Sequence, residues 1–248
     1  MNLTIANVTA QVPQSVFEAA VAAIEKQVKE HFYPEWNVTA DLNPVALPLN
    51  GKKAPIQAGA DAVIYLGDSS DDPTIGVKGA LGYHAANNKK IPYGFVYLDI
   101  CARYKEVWSC TLSHEVLELL GDPDAAMTVA GPAPKDVSGT VYYDFELCDP
   151  TQGDEYLIDN VVVSTFVGKG YFALSGGSGK TNYLGLRLAA FGVRPGGYFQ
   201  YEKGGHAHQI FGSRVTADQI AAKKKLKSVR RNERRVERLE RAKPKNRK

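Results

Sequence analysis

The chain has 248 residues, of which 44% are hydrophobic and 10% aromatic, as is typical of a globular protein with one large core or two smaller ones. No apolar run approaches the ~18 residues that a membrane span requires, and the N-terminus lacks the basic and apolar regions of a signal peptide. Three cysteines without C-x-x-C spacing indicate reduced thiols in a reducing compartment such as the cytoplasm, and not a disulfide framework.

Charge is divided unevenly along the chain. Residues 223–248 contain 14 Lys or Arg and 3 Glu, whereas the preceding residues contain 16 Lys or Arg and 24 Asp or Glu. The net charge of +3 therefore combines an acidic body with a strongly basic tail. Such asymmetry suggests that the tail is an appended interaction segment.

The first predicted elements are a strand and a helix. Alternating apolar and polar residues predict a strand at residues 3–9. An apolar stripe with three- and four-residue steps predicts a helix whose start is marked by a capping box of Ser15 and Glu18. This helix should end near His31, because Pro34 biases the residue before it away from the α-helical region.

A mixed order of strands and helices follows. Further strands are predicted at residues 36–42, 60–66 and 93–100. Residues 43–58 are rich in Pro, Gly and Lys and predict a loop, and a second long helix is expected from about Tyr104 to Leu120. This order predicts an α+β fold with a mixed sheet, rather than a regular doubly wound fold.

The chain changes character after Pro123. Strands are predicted at residues 141–147, 155–167 and 198–202. A helix rich in Lys and Arg is predicted to start at Thr216. The predicted organisation is an N-terminal half at residues 1–124, a β-rich C-terminal half of the same domain at residues 125–215, and a basic helical tail at residues 216–248.

The second long helix and its exit carry an unusual density of chemical groups. His114 and Glu118 are four residues apart, so on a helix they project from one face, one turn apart. This is the spacing at which two side chains of one helix can hold a single metal ion. Glu115 stands where the zinc peptidase motif H-E-x-x-H keeps its general base. Asp122 follows on nearly the same helical face, within about 80° of His114, and Asp124 lies just beyond it.

Residues 114–124 fit H-E-x-x-E-x-x-G-x-x-D. This pattern resembles that of the metzincins, H-E-x-x-H-x-x-G-x-x-H/D, with Glu118 in place of the second histidine and Asp124 at the third ligand position. In that family the glycine, here Gly121, lets the chain turn so that a third ligand reaches the zinc ion. The resemblance implies a zincin-like fold. Residues 93–100 would form the edge strand that precedes the active-site helix and binds an extended peptide by β-augmentation.

A closer resemblance is to a little-characterised group of bacterial and phage-encoded proteins. Its motifs are S-H-E-x-x-E-x-x-x-D-P, E-x-C-D-P and V-S-x-F-V, which are found here at residues 113–123, 146–150 and 163–167. The similarity covers roughly residues 60–200. It favours Asp122 over Asp124 as a third metal ligand, and it implies that Glu146 and Asp149 lie near the site as supporting residues.

The metal hypothesis assigns His114 and Glu118 as ligands, Asp122 or Asp124 as the third, and Glu115 as the general base that activates water. The resemblance implies that the bound metal is zinc. One imidazole with two carboxylates is a harder ligand set, however, which makes manganese, magnesium or calcium alternatives. In the competing structural interpretation these carboxylates cap helices or pair with basic residues near the start of the helix, Arg103 and Lys105.

Weaker patterns elsewhere predict no further site. Residues 176–181 end like a Walker A motif, but Leu174 occupies the position of its first glycine, so a P-loop is not expected. His206 and His208 would share one face of a strand and could bind a metal, although a glycine-rich surface loop is expected there. His84 could line a cleft but is interpreted as a loop histidine.

The basic tail predicts binding to an acidic partner. Its candidate binding residues are Lys223, Lys224, Lys225, Lys227, Arg230, Arg231, Arg234, Arg235 and Arg238. The tail has no aromatic residue to stack on bases, so nucleic acid would be bound through its phosphates, without sequence preference. The alternatives are an acidic protein surface within an assembly and a solvated helix.

Taken together, the helix motif and the basic tail leave two functions open: a metallopeptidase that acts on peptide or protein substrates, and a catalytically silent structural protein, such as a virion subunit.

Overall fold

Helices and sheets mix in an α+β fold, as predicted. The computed structural model describes residues 1–47, 60–72, 82–87, 89–135, 137–174 and 179–224. Strands in this part of the chain are β1 (Asn2–Asn7), β2 (Asp41–Ala46), β3 (Ala62–Gly67), β4 (Gly82–Ala86), β5 (Pro92–Tyr97), β6 (Thr128–Pro132), β7 (Thr140–Asp144), β8 (Glu155–Ile158), β9 (Val161–Ser164), β10 (Tyr198–Lys203) and β11 (His206–Phe211). The α-helices in it include α1 (Gln14–Lys26), α2 (Tyr33–Trp36), α3 (Leu98–Tyr104) and α4 (Trp108–Gly121).

The N-terminal sheet has five strands in the order β2-β1-β3-β5-β4. Its first four strands in this order are parallel, and β4 pairs with β5 in antiparallel orientation at the edge. All six residues of β3 are buried, which fits a central parallel strand that is covered on both faces. Helix α4 packs against β3, β4 and β5, so the edge strand β4 lies beside the helix that carries the motif.

The first helical segment departs from the prediction at both ends. It begins at Gln14 after Pro13 without a side-chain cap, so the predicted capping box is wrong. It also continues beyond His31 to Trp36. The segment passes Pro34 because a π-helical turn, Gln27–Phe32, precedes it and the proline lies in the first turn of α2, where it needs no hydrogen-bond donor.

The second strand is displaced along the sequence from its predicted position. Asn37 adopts a left-handed conformation (φ 56°) that ends the helix, and β2 begins only at Asp41. The strand includes Pro44, which the prediction assigned to a loop. A proline is tolerated here because β2 is an edge strand, where a missing N–H need not break a ladder bond. Residues 48–58 of the predicted loop lie outside the described residues.

The predicted strand at residues 93–100 is not the edge of the sheet. It corresponds to β5, which lies between β3 and β4 and ends at Tyr97, where α3 begins. The predicted helix from Tyr104 is likewise divided. Lys105 has a positive φ of 59° and ends α3, and α4 starts at Trp108. The edge strand is β4, in a region that the prediction left without a strand.

The C-terminal half contains a four-stranded antiparallel sheet, β11-β10-β7-β6, and the hairpin β8-β9. The hairpin replaces the single strand predicted at residues 155–167, because Asp159 and Asn160 both adopt positive φ and form a tight turn. Strand β9 packs against α4 and α1. One hydrophobic cluster therefore extends from the N-terminal sheet into the C-terminal half, with members that include Leu3, Ile64, Leu117 and Val163.

Residues from Met1 to Val215 form one compact unit, and Thr216 begins a second. In the second unit, residues 217–224 are helical, and the rest of the tail lies outside the described residues. Among the helices that the structure describes, none has the length and apolar character needed to cross a membrane.

Candidate metal centre

Helix α4 is buried on every side. All residues from Ser109 to Leu120 are buried, including His114, Glu115 and Glu118. The helix lies between the N-terminal sheet and the β8-β9 hairpin. Its charged side chains therefore point into the protein and not into solvent. Ionisable side chains are rarely buried unless they are paired or bind a metal, so their presence here requires an explanation.

A polar network fixes the face of α4 that carries Ser113. Its hydroxyl donates a hydrogen bond to Gln27 Oε1 (2.7 Å) and accepts one from the N–H of Ser164 (3.0 Å). The amide of Gln27 in turn donates to the Ser164 carbonyl (2.7 Å). These bonds join α4 to the π-helical turn and to β9, which fixes the rotation of the helix and so the direction of its neighbouring side chains.

His114 and Glu118 meet as their spacing predicts. His114 Nε2 lies 3.2 Å from Glu118 Oε2 and 3.3 Å from Asp149 Oδ1. Charge-assisted hydrogen bonds are shorter, about 2.7–2.9 Å. Two ligand atoms on one tetrahedral zinc ion are separated by about 3.4 Å, given metal–ligand distances of about 2.0–2.1 Å. The observed distances are therefore compatible with ligands of a shared ion.

A turn that follows β7 supplies the neighbours of this pair. Glu118 Oε1 accepts hydrogen bonds from the backbone N–H groups of Cys148 (3.0 Å) and Asp149 (3.2 Å). This holds one carboxylate oxygen and leaves Oε2 directed at His114. The ligand atoms of His114, Glu118 and Cys148 all lie within 4.8 Å of one another. The group thus offers nitrogen, oxygen and sulfur donors.

A second group shares Glu118. His84 Nδ1 lies 3.5 Å from Glu115 Oε2 and 3.9 Å from Glu118 Oε2, and the ligand atoms of the three residues lie within 4.8 Å of one another. His84 is fully buried on the edge strand β4, so its interpretation as a loop histidine is wrong.

Glycine at position 82 makes room for the second group. A Cβ atom there would overlap the carboxylate of Glu115, so only glycine allows β4 to approach the helix this closely. Gly121 also serves a packing role, because it is the last residue of α4 and a Cβ atom there would lie 2.5 Å from Leu147 Cδ1. Close packing against Leu147 is therefore one reason for a glycine at this position.

The two alternative aspartates at the helix exit have different environments. Asp122 is buried, and its Oδ2 accepts a hydrogen bond from the N–H of Met127 (2.7 Å). Burial raises the pKa of Asp122, and the negative charge of Glu146 raises it further. Asp124 is exposed and pairs with Lys90 Nζ at 3.3 Å. Of the two, only Asp122 lies in the buried region.

The two predicted supporting residues, Glu146 and Asp149, are both buried at the site. Asp149 contacts His114 directly, and the phenol of Tyr198, which is half-buried, donates a hydrogen bond to it. A small cleft borders Glu146 and Asp149 and is lined by aromatic side chains that include Tyr143 and Phe172.

Electrostatics link these groups. Burial raises the pKa of Glu118 to about 7, the charge of His114 opposes this, and Asp149 and Glu146 add to it. Burial lowers the pKa of His114, but Glu118 and Asp149 outweigh this and hold it well above its usual value. Five carboxyl groups and two imidazoles are buried in this region, namely Glu115, Glu118, Asp122, Glu146, Asp149, His84 and His114. Negative groups outnumber positive ones, so the region favours a bound cation.

Other predicted residues lie away from this cluster or outside the described part of the chain. Arg103 lies over the ring of Tyr104, with its guanidinium carbon 5.6 Å from the ring centroid. His206 and His208 are exposed on β11, and His208 stacks on Tyr201. Lys223 and Lys224 fall in the described helical turn of the tail. The remaining tail residues, and residues 176–178 of the Walker-like stretch, lie outside the described residues.

Sequence reasoning missed His84, Cys148 and Tyr198 as members of the cluster. Cys148 had a signal, because it lies inside the E-x-C-D-P motif between two predicted site residues. For His84 the sequence indicated only that it could line a cleft. Tyr198 had no signal, because its neighbours come from distant segments. Comparison with protein family models, curated proteins and solved structures finds no match to this chain.

Proposed function

We propose that this chain is a metal-dependent hydrolase of zincin-like fold that cleaves peptide bonds, with a divalent ion held by His114 and Glu118. The observation that carries the proposal is the pair itself. His114 Nε2 and Glu118 Oε2 lie 3.2 Å apart on one buried helix face. Their surroundings contain more carboxyl groups than imidazoles, which is costly without a positive ion.

The position of β4 supports the zincin-like part of the proposal. The resemblance implies an edge strand that precedes the active-site helix along the chain, and β4 is an antiparallel edge strand that lies against α4. An extended peptide that added to this edge would lie beside Glu115 and His84. The substrate class proposed is therefore an extended segment of polypeptide.

Each residue has a chemical role in this proposal. A bound divalent ion supplies a Lewis acid and lowers the pKa of water. Glu115 is the general base: it is buried, and its Oε2 accepts no hydrogen bond from any residue that the structure describes. His84 lies 3.5 Å from that oxygen and orients the carboxylate. The backbone N–H groups of Cys148 and Asp149 hold Glu118 in place.

The test combines metal analysis with a proteolysis assay on an unfolded protein substrate. We expect about one ion per chain in the wild type and in Glu115→Gln, and a loss of cleavage of about 100-fold or more in Glu115→Gln, since general bases contribute 10²–10⁴-fold. Glu18→Gln, an exposed site on α1, is the matched control and should retain full activity. Absence of a stoichiometric ion, or cleavage that Glu115→Gln leaves intact, would overturn the proposal.

A second candidate function is carried by the charge of the tail. Residues 223–248 hold 14 basic and 3 acidic side chains, which fits binding to nucleic-acid phosphates or to an acidic neighbouring subunit, for example within a virion. Deletion of these residues should remove most of the affinity for a duplex DNA probe, and the affinity of the full chain should fall steeply with added salt. Binding that survives the deletion, or that ignores salt, contradicts the phosphate-binding form of this proposal.

A further inference from the structure

Two successive residues of one turn approach the His114–Glu118 pair and could complete a metal centre. Asp149 Oδ1 lies 3.3 Å from His114 Nε2, and the sulfur of Cys148 lies within 4.8 Å of the ligand atoms of both members of the pair. A site completed by Asp149 and a site completed by Cys148 would prefer different metals. A carboxylate gives a hard set of oxygens with one nitrogen, and a thiolate gives a softer set of one nitrogen, one oxygen and one sulfur.

We propose that Cys148 is the third protein ligand, bound as a thiolate, and that the centre is a zinc site. This inference rests on the proposed function, because it assigns the remaining ligand of the same ion. In a tetrahedral zinc site, sulfur and nitrogen ligands are separated by about 3.6 Å, given a zinc–sulfur distance of about 2.3 Å. Ligand atoms already within 4.8 Å of one another need only small side-chain movements to reach that arrangement.

The turn is built in a way that holds this sulfur beside the pair. The backbone N–H of Cys148 donates to Glu118 Oε1 at 3.0 Å, so the residue that would bind the ion also orients its fellow ligand. Cys148 is completely buried, and the short 3-10 helix Asp149–Thr151 follows it directly. Cys148 is therefore held in place by its backbone hydrogen bond to Glu118 and by the short helix that follows it, and its side chain is shielded from water.

Asp149 has a different set of contacts. Its carboxylate faces His114 and also receives the phenol of Tyr198. A carboxylate hydrogen-bonded in this way is suited to hold and orient its neighbours. Cys148 can therefore act as the ligand while Asp149 supports it, which retains the supporting role that the resemblance implies for Asp149.

The other two cysteines provide an internal comparison. Cys101 and Cys110 are also buried and free, so burial alone does not distinguish Cys148. The Cys101 thiol contacts Thr111 Oγ1 at 3.7 Å. Within the described residues, neither Cys101 nor Cys110 belongs to a group of potential metal ligands. Only Cys148 among the three combines burial with a neighbouring imidazole and carboxylate.

Binding in this form releases a proton. The thiol S–H bond breaks, the sulfur donates an electron pair to the ion, and the proton leaves to solvent, with no change of oxidation state. A thiolate favours zinc or cobalt(II) over magnesium, calcium or manganese. The hard-metal alternatives suggested by carboxylates alone then become unfavourable.

Cobalt(II) gives a readout that does not depend on activity. We expect the full chain, stripped with a chelator and reloaded with one equivalent of cobalt(II), to show the near-ultraviolet charge-transfer band of thiolate–cobalt coordination. The double variant Cys101→Ser/Cys110→Ser retains only Cys148 and should keep the band. Cys148→Ser should lose it, and its zinc affinity should fall by more than the 10–100-fold typical of changes to residues around a ligand.

The outcomes separate this inference from the function on which it rests. Stoichiometric cobalt without the band, or a band that disappears in the double variant, overturns the assignment of Cys148 while leaving a metal centre in place. Loss of metal in Asp149→Asn with an unchanged band in Cys148→Ser overturns it as well. Failure of the wild type to bind cobalt or zinc at all overturns both proposals. Because the double variant keeps Cys148, the test stands even if Cys148→Ser does not fold.

Discussion

Two sides of helix α4 carry similar residues but have different partners. On one side, His114 and Glu118 meet the turn of Cys148, whose backbone N–H groups hold the Glu118 carboxylate. On the other side, Glu115 meets His84 on the edge strand β4. The first side is supported by backbone hydrogen bonds to the Glu118 carboxylate, and the second by the close packing of Gly82 on β4. In the proposed function the first side binds the ion and the second orients the base.

The largest expected effect is a loss of metal binding when His114 is removed from the first side. His114→Ala should abolish stoichiometric metal binding, because it removes the only imidazole of the N, O, S group. His208→Ala, an exposed histidine of β11, is the matched control and should bind metal like the wild type. Metal content measured by elemental analysis distinguishes them. If His114→Ala retains its ion while His84→Ala loses it, the assignment of the two sides must be exchanged.

A smaller effect, on the free energy of unfolding, is expected when a larger residue replaces Gly82 on the second side. Gly82→Ala places a Cβ atom on the carboxylate of Glu115, and such overpacking typically costs about 1–3 kcal/mol. Denaturant unfolding should show this loss, and metal content should be unchanged because the first side is untouched.

A double-mutant cycle tests the cause of that loss. In a Glu115→Ala background, the same Gly82→Ala change should cost much less, because the group with which it clashes is gone. An equal cost in both backgrounds would show that the penalty of Gly82→Ala comes from the strand itself and not from the contact with Glu115.

The smallest effect is a pH dependence of stability in chelator-treated protein. Burial raises the pKa of Glu118 to about 7, above the value of about 4.3 in an unfolded chain. The folded state then holds more protons than the unfolded state, so this contribution is fully present below about pH 4.3 and is lost as pH rises through 7. His114, whose folded pKa is also raised, acts in the same direction.

Thermal unfolding at pH 5 and pH 8 measures this dependence. Glu118→Gln should flatten it, and one equivalent of zinc should stabilise the protein more at pH 8 than at pH 5, because protons compete with the ion for its ligands. Equal pH dependence in the wild type and Glu118→Gln would mean that other groups carry the effect.

Local geometry explains which parts of the site were predictable. His114 and Glu118 belong to one helix, and a separation of four residues fixes their proximity wherever that helix lies. The α+β class followed from the order of apolar patterns in the same way. The helix boundary near Pro34 was missed because a π-helical turn, Gln27–Phe32, accommodates the proline, and such turns leave no mark in an apolar pattern.

The sequence by itself determined the helical pair, the acidic body, the basic tail and the choice of a mixed fold, because each depends on composition or on neighbours within a few residues. Only the tertiary structure placed His84 on the edge strand, brought the N–H of Cys148 to Glu118 across 30 residues, and separated buried Asp122 from exposed Asp124. These contacts arise when distant segments pack against a buried helix, and periodicity along one segment carries no information about which partner will cover it.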